Sequence, residues 1–185
     1  MMATLIGGLL LAALLVWAVI VFNRLMRLRN QVRTAWADID VQLVRRHDLV
    51  PQLVSAVQAY AAHERATLDA VTALRARAMA TADAATLSDL EQSLGAGIQR
   101  LIALQEAYPV LAASDNFAQL QADLVEVETQ LQYARRFYNG AVRDLNDAVQ
   151  RVPDTLVARL TGVGQAVYFQ AVDDSRRPAA VELTR

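Results

Sequence analysis

Two histidines, each followed directly by an acidic residue, form the only grouping in this sequence that resembles a metal site. His47 precedes Asp48, and His63 precedes Glu64. Dinuclear sites in helical bundles use Glu-x-x-His pairs, and the sequence contains no such pair. We therefore predict that the chain binds no metal, and that these histidines belong to a helix cap, the surface or the core.

Other motifs for catalysis are also missing from the sequence. There is no cysteine, which excludes thiolate nucleophiles, disulfides and an acylated lipoprotein anchor. No serine lies in a Gly-x-Ser-x-Gly context, and no glycine-rich phosphate loop occurs. An enzyme that uses the region of His63 and Glu64 would need acid–base partners, and none can be identified. The sequence predicts a protein that is not an enzyme and has no cofactor.

A polar group in the first third of the chain has two interpretations. Arg45, Arg46 and Asp48 follow Trp36 and Asp40 at intervals of about one and two helical turns. In the functional interpretation these residues form a corner that docks a partner protein. In the structural one Asp48 caps a helix, while Asp40 or Asp48 pairs with an arginine. We favour the structural interpretation because caps and exposed ion pairs are routine.

A second polar group lies in the last long apolar repeat. Asn139 and Asn146 are seven residues apart and share a helix face beside Tyr138. Polar residues at a helical seam often fix its register at some cost in stability. A role in packing is therefore favoured over contact with a ligand.

The chain also contains a segment that is apolar enough to cross a membrane. Residues Ala3 to Phe22 carry no charge over 20 positions, which as a helix spans a hydrocarbon core of roughly 30 Å. A cleaved signal peptide would have a basic leader and a shorter apolar run. We predict an uncleaved transmembrane helix.

The flanks of this segment predict its orientation. Arg24, Arg27, Arg29 and Arg33 follow the span and no basic residue precedes it, so the positive-inside rule places the N-terminus outside and the rest in the cytoplasm. Trp17 lies near the inner end, where an indole ring favours the headgroup boundary, although it equally suits a lipid-facing position. Small residues spaced four apart would let two such helices approach closely, as with Gly8 and Ala12. The basic flank is also expected to contact anionic headgroups.

Apolar residues after the span recur at alternating intervals of three and four residues, which predicts amphipathic helices. The first continues from the membrane through Leu25 and Ile39 and ends near Arg46, because Asp48 is a good N-cap and Pro51 suits a first helical turn. The alternative is one long helix kinked at Pro51.

Three more helices complete the predicted domain. The second extends to the alanine-rich residues 80–85, and the third begins at Ser88, which forms a capping box with Glu91, or one turn earlier. It ends before Pro109, and the fourth runs from residues 114–116 to Pro153. Gly95 and Gly97 in the third helix mark either close packing or a fray point.

The predicted fold is all-α, with an N-terminal transmembrane helix that continues into a cytoplasmic antiparallel four-helix bundle. Its parts are an anchor (1–23), the bundle (24–152) and a tail with a short amphipathic helix (153–185). Residues 167–172 in that tail would lie on the bundle, pair with another chain or contact the membrane.

Long strings of residues resemble the LemA family of bacterial membrane proteins. They include LRNQVRTAWADIDVQLVRRHDLVPQLV (28–54), AYAAHERATL (59–68), NFAQLQ (116–121) and ARRFYN (134–139). The pattern differs at Gln52, where relatives often have Asn, and at Ala112, where a Lys is common. The resemblance covers nearly the whole chain.

The resemblance implies a single span in the bacterial inner membrane, a cytoplasmic helical bundle and no established enzymatic activity. One relative is associated with building magnetosome membranes, which favours a role in membrane organisation. We expect a membrane-anchored scaffold whose partners are membrane lipid and further copies of itself, without nucleic acid. The alternative is a signalling adaptor that recruits an unidentified cytoplasmic protein.

Overall fold

The computed structural model of the chain describes residues 1–81 and 83–169, and these residues form helices without strands. In this part of the chain the order is α1 (Met2–Gln58), α2 (Arg65–Ala80), α3 (Ala84–Ala103), a 3₁₀ turn (Leu104–Glu106), α4 (Pro109–Ala112), α5 (Asp115–Gln150) and α6 (Asp154–Thr161). The all-α class with one long apolar N-terminal helix is confirmed. The antiparallel four-helix bundle and the three-part domain division remain predictions.

Helix α1 corrects the predicted first hairpin. It is continuous from Met2 to Gln58 and includes Pro51, so it does not end near Arg46. Asp48 consequently lies inside the helix and caps nothing, and the alternative of one long helix through Pro51 is the one that the structure shows.

A distant side chain compensates for the proline. Pro51 has no N–H to donate to the carbonyl oxygen of His47, four residues earlier. The guanidinium of Arg75 donates its Nε–H to that oxygen at 2.7 Å. The carbonyl therefore keeps a hydrogen bond, and the helix continues beyond the proline.

Helix α3 begins one turn before Ser88, as the second option predicted, but with a different cap. The carboxylate of Asp83 accepts hydrogen bonds from the hydroxyl and the backbone N–H of Thr86, at 2.7 and 2.8 Å. These two bonds hold the pKa of Asp83 below its ordinary value. The predicted Ser88–Glu91 capping box is wrong, because both residues lie inside the helix and are buried.

The end of α3 also differs from the prediction. The helix ends at Ala103 and tightens into the 3₁₀ turn, and Pro109 starts the short helix α4 as its first residue. A proline at that position loses no helical hydrogen bond, since the first N–H groups of a helix have no partner within it.

Helices α5 and α6 match the predicted bounds closely. The long repeat buries its apolar stripe along α5, with Leu131 and Val142 fully buried. Helix α6 ends at Gly162, whose φ of +69° is a left-handed conformation that glycine adopts without strain.

Two compact units make up the chain. The first comprises Met1–Arg45 and Glu126–Tyr168, and the second comprises Arg46–Val125 and Phe169–Arg185, of which only Phe169 in the latter range is described. The first unit buries the α1 stripe Leu25, Val32, Ala35, Ile39 and Leu43. The second has a core that includes Val50, Leu53, Val57, Leu68, Val71, Leu94, Ile98, Leu101, Leu111 and Phe117.

The helical glycines give a test of this packing. A Cβ on Gly140 in α5 would meet nothing within 4 Å, whereas one on Gly97 in α3 would lie 2.7 Å from Cγ2 of the buried Val71. Because alanine favours a helix interior by about 1 kcal/mol over glycine, Gly140→Ala is expected to raise the thermal midpoint by roughly 2–4 °C. Gly97→Ala is expected to lower it, since the steric clash opposes the same gain. Circular dichroism of the two variants in one detergent compares them, and an equal shift would contradict the packing at Gly97.

Candidate functional site

The apolar N-terminal part of α1 is the first candidate site. Large apolar side chains from Leu5 to Ile20 are exposed, and α1 is the one helix among the described residues that is long and apolar enough to cross a membrane. Gly8 and Ala12 are exposed, and a Cβ on Gly8 would meet nothing within 4 Å. Trp17 is half-buried. This surface is open to lipid or to another helix.

The basic residues after this segment divide into two kinds. The guanidinium of Arg24 lies 3.3 Å from the carboxylate of Asp154 at the start of α6, and that carboxylate is nearly buried. Arg27, Arg29 and Arg33 are exposed. Arg24 therefore has a partner within the chain, and the other three suit contact with headgroups.

A buried charged cluster in the second unit joins α1 to α3. The carboxylate of Glu91, which has no exposed side-chain area, lies 2.6 Å from Nε2 of His47 and 3.2 Å from Nη1 of Arg46. Arg46 also donates to the backbone carbonyl of Glu91 at 3.4 Å. The Arg46 guanidinium balances the carboxylate charge, and the cluster is closed to solvent. It therefore holds two helices together rather than presenting a reactive group.

Glycine is needed beside this cluster. A Cβ on Gly95 would lie 2.6 Å from Nη2 of Arg46. Gly95 and Gly97 thus mark close packing, which was one of the two interpretations of these residues.

The residues of the possible docking corner differ in their burial. Arg46 is buried against Glu91, while Arg45 is half-exposed and lies 3.8 Å from Glu126 of α5. Asp40 and Asp48 are exposed. Arg46 is therefore not available to a partner protein, whereas Asp40, Arg45 and Asp48 are.

The sequence did not indicate the roles of two residues that connect helices, Glu91 and Arg75. Glu91 was assigned to a capping box because of its local spacing, and no motif marked Arg75. The indication for Arg75 was Pro51, which inside a helix leaves the carbonyl oxygen of His47 without its usual N–H donor.

In the first unit, α5 holds an extended segment that follows α6. The amide of Asn146 donates to the carbonyl of Ala166 at 3.0 Å and accepts from its N–H at 2.8 Å. The hydroxyl of Tyr138 donates to the carbonyl of Val167 at 2.8 Å, and burial raises the pKa of Tyr138. Asn139, which is half-buried, lies on the same helix. Ala166 and Val167 thus lie on α5, and residues 170–172 lie outside the described residues.

Trp36 contacts the same tyrosine from α1. Its ring meets the Tyr138 ring edge-on, with the centroids 5.3 Å apart. Such aromatic pairs contribute about 0.5–1.5 kcal/mol beyond their buried area. Trp36 therefore packs α1 against α5.

Within residues 1–81 and 83–169, no group of three or more His, Asp or Glu side chains is arranged to hold a metal ion. His47 is occupied by Glu91, and His63 lies in the turn between α1 and α2.

Comparison with known proteins adds the following matches. The model of the LemA family matches residues 35–183. Magnetosome protein MamQ 2 of Paramagnetospirillum magneticum is 33% identical over 76 residues, which is 41% of this chain and 28% of that protein. Magnetosome protein MamQ of Magnetospirillum gryphiswaldense is 28% identical over 75 residues, which is 40% of this chain and 28% of that protein. The matched region is thus less than a third of the length of these curated relatives.

Proposed function

The chain belongs to the LemA family, and from this premise we propose that it is a membrane-anchored scaffold that self-associates and so organises the membrane. Family membership and the apolar N-terminal helix indicate a membrane-anchored protein. The similarity to magnetosome proteins supports a membrane-associated role.

The observation that carries the proposal is the continuity of α1. The helix that is apolar from Leu5 to Ile20 runs without a break to Gln58 and contributes to both units. A tether would need a flexible linker, whereas a continuous helix transmits its orientation in the bilayer directly to the residues that it carries. A rigid anchor of this kind suits an assembly in which copies stand side by side.

Charged residues support the proposed orientation in the membrane and the proposed lack of enzymatic activity. The exposed Arg27, Arg29 and Arg33 favour a cytoplasmic location for the units beyond the span, in a bacterial inner membrane. The closed Glu91 cluster supports a non-enzymatic role, since its groups are already paired.

The adaptor is the competing proposal. It keeps the exposed Arg45, Asp40 and Asp48 as contact residues but loses Arg46, which is buried. Among the described residues, no contact distinguishes the adaptor from self-association.

Native mass spectrometry of the full-length chain in mild detergent tests the proposal. We expect a discrete species at a small multiple of 20.3 kDa that persists as the protein is diluted. The chain has no lysine, so amine-reactive crosslinkers are a poor substitute. Monomers alone at the highest concentration would contradict self-association. Stoichiometric recovery of a different protein from cells, with the chain monomeric, would support the adaptor instead.

A further inference from the structure

A solvent-exposed groove lies between α1 and α5 in the first unit. It has a volume of about 330 Å³ and is lined by Asp38, Val41, Gln42, Gln130, Tyr133 and Phe137. Three of its apolar side chains are strongly exposed, with Val41 at 56%, Tyr133 at 57% and Phe137 at 51%. Clustered apolar groups on adjacent helices mark a surface that a partner covers.

Each of these two helices also buries a face within the first unit. Leu43 of α1 and Leu131 of α5 are buried, and Ala166 and Val167 are hydrogen-bonded to Asn146 and Tyr138 of α5. Among the described residues, the groove leaves apolar side chains of both helices open to solvent. Two such helix pairs placed groove to groove make four helices around a common core.

The contacts between α1 and α5 show which residues of the two helices are level with each other, that is, lie at the same height along the helix axes. Trp36 meets Tyr138, and Arg45 meets Glu126, so the two helices run in opposite directions. Asp38 lies two residues after Trp36 and is therefore level with Arg136, two residues before Tyr138. By the same counting, Val41 is level with Tyr133. The guanidinium of Arg136 lies 4.7 Å from the centroid of the Tyr133 ring, and Tyr133 lines the groove.

Because of this arrangement, the groove surface of one copy is complementary to the groove surface of a second copy. Two copies anchored in one membrane have parallel α1 helices, and a two-fold axis along the membrane normal places α1 of one beside α5 of the other. Residues of equal level then meet, so that Asp38 faces Arg136 of the second copy and Val41 faces its Tyr133. The apolar pair is buried and the charged pair has opposite signs.

We propose that the groove between α1 and α5 is the surface through which two copies dimerise in the same membrane. The proposal rests on the proposed function, because the membrane anchor supplies the parallel orientation. Confinement to the bilayer also raises the effective concentration of the second copy, so a modest interface suffices.

Cysteine crosslinking tests the predicted neighbours, since the natural chain has no cysteine. One chain carries Val41→Cys and a second, differently tagged chain carries Tyr133→Cys, and the full-length proteins are mixed in mild detergent, reconstituted and oxidised. We expect a disulfide-linked heterodimer. Gln132→Cys is the matched control, because Gln132 is exposed and adjacent in sequence but does not line the groove. It is expected to give little product with Val41→Cys.

Charge reversal tests the same geometry without cysteine. Asp38→Arg is expected to raise the Kd of the dimer at least about fivefold, since it turns two attractive contacts into repulsive ones. Adding Arg136→Asp to the same chain is expected to restore the original Kd. Mixing chains that carry only Asp38→Arg with chains that carry only Arg136→Asp is also expected to restore the dimer, whereas an ion pair within one chain would not be restored by mixing.

The outcomes separate this proposal from the proposed function. Oligomers by native mass spectrometry without the Val41–Tyr133 product, or with equal product for Gln132→Cys, would overturn the groove and leave self-association through another surface. Monomers alone would overturn both. An intramolecular disulfide of Val41→Cys with Val181→Cys, without dimers, would show that the C-terminal residues cover the groove instead.

Discussion

Replacing Glu91 by Gln is expected to destabilise the second unit by about 3–5 kcal/mol. The change leaves the shape of the side chain nearly intact but removes the negative charge between Arg46 and His47. The Arg46 side chain is 7% exposed, so water cannot solvate its guanidinium in place of the carboxylate. Urea unfolding of the full-length protein, followed by circular dichroism in one detergent, measures the difference.

The control for this experiment is Asp89→Asn, which makes the same chemical change two residues earlier in α3. Asp89 is exposed, and its replacement is expected to change stability by less than about 0.5 kcal/mol. Replacing both charges, as Arg46→Met with Glu91→Leu, is expected to recover part of the loss, because no unpaired charge remains. Equal effects at Glu91 and Asp89 would show that the cluster does not hold α1 to α3.

The second large effect is expected at Arg75. Arg75→Met removes the donor to the carbonyl oxygen of His47, which Pro51 leaves without a helical partner. A buried carbonyl without a partner costs about 1–3 kcal/mol, and we expect a loss toward the lower end of this range because the site is partly buried. The same unfolding measurement reports this loss. Arg77→Met is the matched control, since Arg77 is exposed on the same helix and is expected to have little effect.

A double-mutant cycle separates this hydrogen bond from other roles of the arginine. In Pro51→Ala the new N–H at position 51 bonds the His47 carbonyl within the helix. Arg75→Met should then cost at least about 1 kcal/mol less than it does in the natural chain. The same cost in both backgrounds would mean that Arg75 does not compensate for the proline.

Local patterns in the sequence were sufficient for most of the helices. The intervals of three and four residues predicted that Leu25, Ile39 and Leu131 are buried, and the structure buries all three. The start of α5 and the short helix α6 were also predicted, because their capping and breaking residues act within one turn.

Two of the errors share one physical cause, which is contact between residues far apart in the chain. Pro51 appeared to end a helix because the rule considers only the missing N–H, and Arg75 supplies the donor from 24 residues away. Glu91 fitted a capping box with Ser88, but its partners are 44 and 45 residues earlier. No local spacing encodes either contact.

The candidate surface was likewise only partly predictable. Exposure of Val41, Tyr133 and Phe137 departs from the apolar stripes on which the helix predictions relied, and their proximity follows from the pairing of α1 with α5. Tyr138 and Trp36 were both named from the sequence for separate reasons, but their contact with each other required the structure.

Counting subunits in lipid tests the central proposal, self-association in the membrane, most directly. Full-length chains with a single dye are reconstituted into vesicles at low density, and photobleaching steps are counted for each fluorescent spot. The account predicts an excess of two-step spots, or more, over the number expected from chance co-occupancy, and fewer such spots for Asp38→Arg. One-step spots alone, at densities where a known membrane dimer gives two-step spots, would contradict self-association.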